Sequence, residues 1–173
     1  YIDDSVGLGC DVLNPWFGHF VQLQAYEEHS HITPTEGAYI QKIKKYADLH
    51  NISFQIITVD GNTFVYDKDP AVRERNHENA KKWIMIAHKL GATGVRFDVS
   101  KTTEEDILDE NNLNIISDKY GKLIDFSDEL NIEIYFENHY GMTGDPDNVI
   151  KILKAYIFCT NFIGMFYYEK SCK

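Results

Sequence analysis

The architecture turns on Ala87-His-Lys-Leu-Gly-Ala-Thr-Gly-Val-Arg-Phe-Asp-Val99. Ala87 closes a run of apolar residues at helical spacing, Ala80, Trp83, Ile84 and Ala87. Gly91 follows Lys89-Leu90, where a left-handed glycine ends a helix. From Gly94 onward apolar Val95, Phe97 and Val99 alternate with Arg96 and Asp98, which reads as a strand with both charged residues on one face. A helix that stops on glycine and turns at once into a strand is one half of a βαβ unit.

The same grammar extends in both directions. Strands are expected at residues 20–25, 52–59, 94–99, 132–137 and 163–167, with a weaker one at 6–12. Helical spacing joins Ile40, Ile43 and Ala47; Leu113, Ile116, Tyr120 and Leu123; and Val149, Leu153 and Tyr156. Thr33-Pro34, Asp69-Pro70 and Asp145-Pro146 each pair a capping residue with a proline at the first helical position, where a missing N–H costs nothing. Glu36 completes a capping box with Thr33, and Glu105 does so with Thr102. No low-complexity linker breaks the alternation, so residues 1–173 form a single domain of parallel βα units.

Polar residues on strands separate a barrel from an open sheet. Interior strands of an open parallel sheet are apolar on both faces, whereas Gln22 and Gln24, Arg96 and Asp98, and Glu133 and Glu137 occupy alternate positions here. A barrel with helices outside and polar groups at its interior mouth accounts for them, and no GxGxxG or GxxxxGK loop points to a nucleotide fold. With 17 Lys and Arg against 27 Asp and Glu, the net charge of -10 speaks against nucleic acid as a partner. No apolar run approaches the 18 to 20 or so residues of a membrane span. The chain opens on Tyr1, not Met, which leaves a removed leader open; the expected compartment is the cytoplasm. Cys10, Cys159 and Cys172 show no CxxC spacing and read as buried or terminal thiols.

Chemistry concentrates in Ile132-Glu-Ile-Tyr-Phe-Glu-Asn-His-Tyr-Gly141. Residues at the C-terminal ends of barrel strands face the mouth, so Glu137 and His139, two positions apart, project to the same side. Oxygen and nitrogen donors of this kind suit a divalent metal. The spacing equally fits a solvated carboxylate beside a loop histidine bonded to backbone.

From Phe20 to Tyr167 the chain resembles the sugar phosphate isomerase/epimerase group of xylose-isomerase-like TIM barrels. The matching pieces are Val21-Gln-Leu-Gln24, Ala87-His-Lys-Leu-Gly-Ala-Thr-Gly-Val-Arg96 and Ile134-Tyr-Phe-Glu-Asn-His139. The resemblance implies a (β/α) barrel, with five to six of its eight strands in this chain. It also implies a divalent metal (Mn, Mg, Co or Zn) bound by Glu137, with Glu137 and His139 as catalytic residues. The implied reaction is metal-dependent isomerisation, epimerisation or dehydration of a sugar, sugar phosphate or polyol, by proton transfer next to a metal-bound carbonyl. A homo-oligomer is expected. Two departures favour the alternative of a non-catalytic or degenerate barrel subunit that binds a sugar or a partner chain. The next strand ends near Tyr168 and Glu169, not on an aspartate, and no later strands follow.

Arg96 could bind a sugar hydroxyl or phosphate, or form an internal ion pair with Asp98. His29 and His31 follow the strand expected at 20–25 and could reach the substrate; for both, a plain surface histidine is the competing reading. Trp16 could form a sugar-stacking wall. Trp83 reads as core, His88 as structural, and Lys42, Lys44 and Lys45 as a solvated face. Only Asn14-Pro-Trp-Phe-Gly-His19 separates the strands expected at 6–12 and 20–25, although a parallel crossover needs about a dozen residues. A helix is therefore expected to be missing near residues 14–19, and further strands after Lys173.

Overall fold

The computed structural model describes residues 1–23, 31–61, 63–100, 108–138 and 141–157, with side chains placed to residue 155. The elements, in chain order, are α1 (Ile2–Gly7), β1 (Val12–Leu13), α2 (Pro34–Leu49), β2 (Ser53–Phe54), β3 (Ile56–Val59), α3 (Pro70–Leu90), β4 (Gly94–Phe97), α4 (Glu110–Asp128), β5 (Glu133–Phe136) and α5 (Pro146–Ile157). Short 3₁₀ turns cover Phe17–His19 and Gly141–Gly144.

All strand pairs are parallel. β1 pairs with β2, and β3, β4 and β5 pair in that order. Gln55, between β2 and β3, joins the two ladders. Its N–H donates to the Leu13 carbonyl at 2.9 Å while its own carbonyl accepts from Thr93 and Gly94 at 2.9 and 3.0 Å. The result is one arc of parallel strands with helices along its outside, where α2 packs on α3, α3 on α4 and α4 on α5.

The helices begin where their caps dictate. Thr33 accepts from the Glu36 N–H and Glu36 returns the bond to Thr33, which completes the capping box. Asp69 accepts from the Ala71 N–H at 2.8 Å, and Asp145 from the Asp147 N–H at 2.9 Å. Gly91 ends α3 at φ 73°, the left-handed geometry expected from the sequence. Val95 and Phe97 turn outward into the helices, and Trp83 on α3 is fully buried with its ring edge-on to Phe17. His88 is exposed, its ring nitrogen 3.1 Å from the Leu130 carbonyl, so its role is structural.

Several expectations are corrected. The strand at 6–12 does not form, because Val6 lies in α1 and pairing begins only at Val12. Phe20 is irregular and residues 21–23 form a 3₁₀ turn whose Phe20 and Leu23 side chains are both buried; residues 24 and 25 lie outside the described set. The missing helix near residues 14–19 therefore falls away. The parallel neighbour of β1 is β2, and α2 supplies the crossover between them. The run at 52–59 is broken at Gln55. Helix α4 starts at a cap on Asp109, whereas Thr102 and Glu105 lie outside the described residues, as do the strand at 163–167, Cys159 and Cys172. Cys10 is exposed and not buried.

Candidate active site at the strand ends

Strand register builds the site. Trp16 bridges to Thr58, Thr58 is opposite Arg96, and Arg96 is opposite Tyr135, which sets one row across the concave face. One step further, Val59, Phe97 and Phe136 are aligned and face the helices. The next residue after each strand is acidic: Asp60 after β3, Asp98 after β4 and Glu137 after β5. Period two returns all three to the face that carries Arg96, at one level of the C-terminal mouth.

Arg96 sits among them. Its guanidinium forms ion pairs with Asp60 and Glu137, and with Asp98 at 3.8 Å. With five N–H donors a guanidinium can bridge several carboxylates at once. The Arg96 side chain is 15% exposed and that of Glu137 38%, so the cluster opens to solvent on the Glu137 side. Three carboxylates around one guanidinium leave this group of four with two negative charges in excess.

Trp16 is 46% exposed and its indole N–H donates to Asp60 at 2.7 Å. Its ring stands edge-on to Phe17 with centroids 4.8 Å apart, leaving an aromatic face at the rim. Tyr135 donates to Glu133; burial, and then that hydrogen bond, push the phenol up to about 12, so it stays protonated.

Of the residues singled out in the sequence, Glu137, Arg96 and Trp16 come together in the mouth through Asp60. His31 is exposed just before α2. His29 and His139 lie outside the described residues. For Arg96 and Asp98 the geometry supplies the internal ion pair. Asp60 escaped the sequence reading, although Val59-Asp60-Gly61 carries the signal, an acid directly after an apolar strand run.

Carboxylate oxygens suit a hard divalent ion, and Glu137 offers one such ligand at the mouth. Among the described residues no group of three or more His, Cys, Asp or Glu side chains is spaced to hold an ion. Asp60, Asp98 and Glu137 match a metal in donor chemistry, and in this structure all three pair with the Arg96 guanidinium.

A parallel βα arc with helices outside and acidic residues at its C-terminal mouth is the layout of a TIM-type barrel. Residues 17–156 match the family model described as xylose isomerase-like TIM barrel, and the chain belongs to that family. No curated protein matches its sequence. Among solved structures it resembles a D-psicose 3-epimerase crystallised in the presence of D-fructose, at 18% identity and a TM-score of 0.65, over 90% of this chain and 53% of that one. An IolI protein with a binding zinc atom superposes at TM-score 0.66 and 16% identity, over 90% and 52% of the two chains. A xylose isomerase-like TIM barrel protein from Mycobacterium smegmatis, in complex with magnesium, does so at 0.64 and 15%, over 90% and 51%. The chain thus spans about half the length of the structures it matches, and these likenesses show the fold. No helix among the described residues is long and apolar enough to cross a membrane.

Proposed function

We propose that the intact protein is a divalent-metal-dependent isomerase, epimerase or dehydratase that moves a proton at the carbon beside a carbonyl of a sugar, sugar phosphate or polyol. The observation that carries this reading is the position of Glu137, the first residue after β5, on the mouth face beside Arg96. Glu137 would hold the ion. A divalent ion bound there would supply Lewis-acid polarisation of the substrate carbonyl. Zinc and magnesium in two of the similar barrels, and D-fructose with a third, support the metal and the substrate class. Arg96 and Asp60 shape the polar side of the mouth, and the exposed Trp16 face offers a wall for the apolar side of a sugar ring. His139, two residues beyond Glu137, is assigned to the proton-transfer chemistry and His29 and His31 to the substrate loop.

Glu137→Gln in the intact protein tests the proposal, because the amide keeps the shape of the ligand and loses its charge. Loss of metal content and of substrate C–H exchange in deuterated water, with unchanged far-UV circular dichroism, is the expected result. Unchanged metal content and exchange would make Glu137 a bystander. One observation favours a second reading, the non-catalytic barrel subunit: Glu137 is already engaged by Arg96.

A further inference from the structure

We infer that Gly18 and Asp60 are positioning residues that lock the Trp16 indole at the rim of the mouth, so that a sugar meets a wall already in place. The inference rests on the sugar-wall role proposed for Trp16 and adds the two residues that fix that wall. Although Trp16 is 46% exposed, it is restrained at its backbone and at both ends of its ring. The backbone is held by the bridge to Thr58, whose N–H donates to the Pro15 carbonyl at 3.0 Å, and by the Trp16 N–H, which donates to His19 Nδ1 at 3.1 Å. The indole N–H donates to Asp60 Oδ2 at 2.7 Å, while Arg96 donates to Asp60 Oδ1. Asp60 thus has a donor on each oxygen and ties the indole to a side chain of the central strand β4.

At the opposite end of the indole, Cε3, Cζ3 and Cη2 lie so close to Gly18 that a Cβ there would overlap them. Gly18 sits in the 3₁₀ turn Phe17–His19 and is not one of the left-handed glycines, so its backbone would accept alanine. What requires glycine at this position is the space the ring occupies, not the turn. With its N–H spent on Asp60, the indole offers a ligand only carbon surface, which suits the C–H face of a sugar and not its hydroxyls. A side chain already in its bound rotamer has little freedom left to lose, whereas ordering a loose one weakens binding by about two- to ten-fold. Asp60 and Gly18 therefore act on the substrate through Trp16.

Nitrogen-15 relaxation of the indole N–H groups in the intact protein, followed by titration with D-fructose as the probe, tests this in wild type, Gly18→Ala, Asp60→Ala and Trp16→Ala. Trp16→Ala assigns the Trp16 signal, and the fully buried Trp83 is an internal standard of a rigid ring. In wild type the Trp16 indole N–H should be as ordered as that of Trp83. In Gly18→Ala and Asp60→Ala its order should fall while that of Trp83 is unchanged, and D-fructose should bind about two- to ten-fold more weakly to both. Gly18→Ala leaves every charge of the mouth in place, so agreement between the two variants separates loss of the wall from loss of the carboxylate. A Trp16 N–H that is mobile in wild type, or that stays rigid in both variants, overturns the inference. So does unchanged D-fructose affinity in both variants where Trp16→Ala weakens it, and the sugar-wall reading then stands. D-fructose that fails to bind the wild type, or binds Trp16→Ala equally well, overturns the sugar-wall reading and the inference with it.

Discussion

Glu36→Ala is expected to cost about 4–6 kcal/mol, the sum of about 1 for a lost helix cap and about 3–5 for a buried charge stripped of its counter-ion. Both Glu36 oxygens are in use. Oε2 accepts the Thr33 N–H at 2.8 Å, and Oε1 accepts from Lys82 Nζ, also at 2.8 Å. The Lys82 side chain is 0% exposed and stands on α3, so the pair ties the first turn of α2 to the middle of the next helix. Against a typical domain stability of about 5–15 kcal/mol, such a loss removes a large share of the total. Urea unfolding at pH 7 followed by circular dichroism measures it. The decisive control is the double variant Glu36→Gln, Lys82→Met. Replacing a buried ion pair by neutral groups of similar volume is often neutral or stabilising, so it should lie within about 1 kcal/mol of wild type while retaining the cap. The pair also has a pH signature. Burial alone would raise the Glu36 carboxyl, but hydrogen bonds from Lys82 and Thr33 and the Lys82 charge outweigh it and hold the group below its ordinary value. A depressed carboxyl contributes stability above its unfolded value of about 4.3, and that contribution fades as pH falls through the lower folded value. A loss under about 1 kcal/mol for Glu36→Ala, or a double variant no better than the single, would refute the argument.

His77 gives a second, separable pH window. Burial first, and then the charges of Lys119 and Lys81, push its imidazole down to about 4. The folded protein therefore holds it neutral while the unfolded chain protonates below about 6.5, and roughly 3 kcal/mol present above pH 6.5 is lost on acidification toward pH 4. Melting temperatures between pH 7.5 and 4.5 should fall in wild type and flatten in His77→Gln; equal slopes would refute the assignment. Gly94→Ala places a Cβ 2.6 Å from the Tyr135 ring and 2.9 Å from the Glu133 carbonyl, so β4 and β5 must part. A loss of about 1–3 kcal/mol with faster amide exchange in β5 is expected, and wild-type stability would show that the strands adjust freely.

The helices were legible because their signals are local. Thr33-Pro34, Asp69-Pro70 and Asp145-Pro146 start α2, α3 and α5, and apolar spacing carries each onward. The first strand was hidden by a different chemistry. Residues 12–16 contain Asn14 and Pro15, which local propensity rejects from a sheet. Yet Pro15 needs only its carbonyl, which accepts from Thr58 at 3.0 Å, and the Asn14 side chain accepts from Ile56 at 2.9 Å where the ladder is interrupted. Phe20 and Leu23, three apart, serve a turn of 3₁₀ backbone as well as alternation serves a strand, and in so short a run the two patterns coincide.

The candidate site divides along the same line. Arg96 and Asp98 share a strand, so their common face follows from period two alone, and Glu137 stands out beside His139. Asp60 looks like the first residue of a turn until register aligns Val59 with Phe97 and Phe97 with Phe136. That alignment is long-range information, but it leaves a local trace. Val59-Asp60, Phe97-Asp98 and Phe136-Glu137 each place an acid directly after the last outward-facing apolar residue of a strand. The apolar side chain fixes the strand against its helix, so its successor must face the mouth. Three strands ending this way make a ring of carboxylates that no single strand announces, and Arg96 is the group whose charge lets them converge.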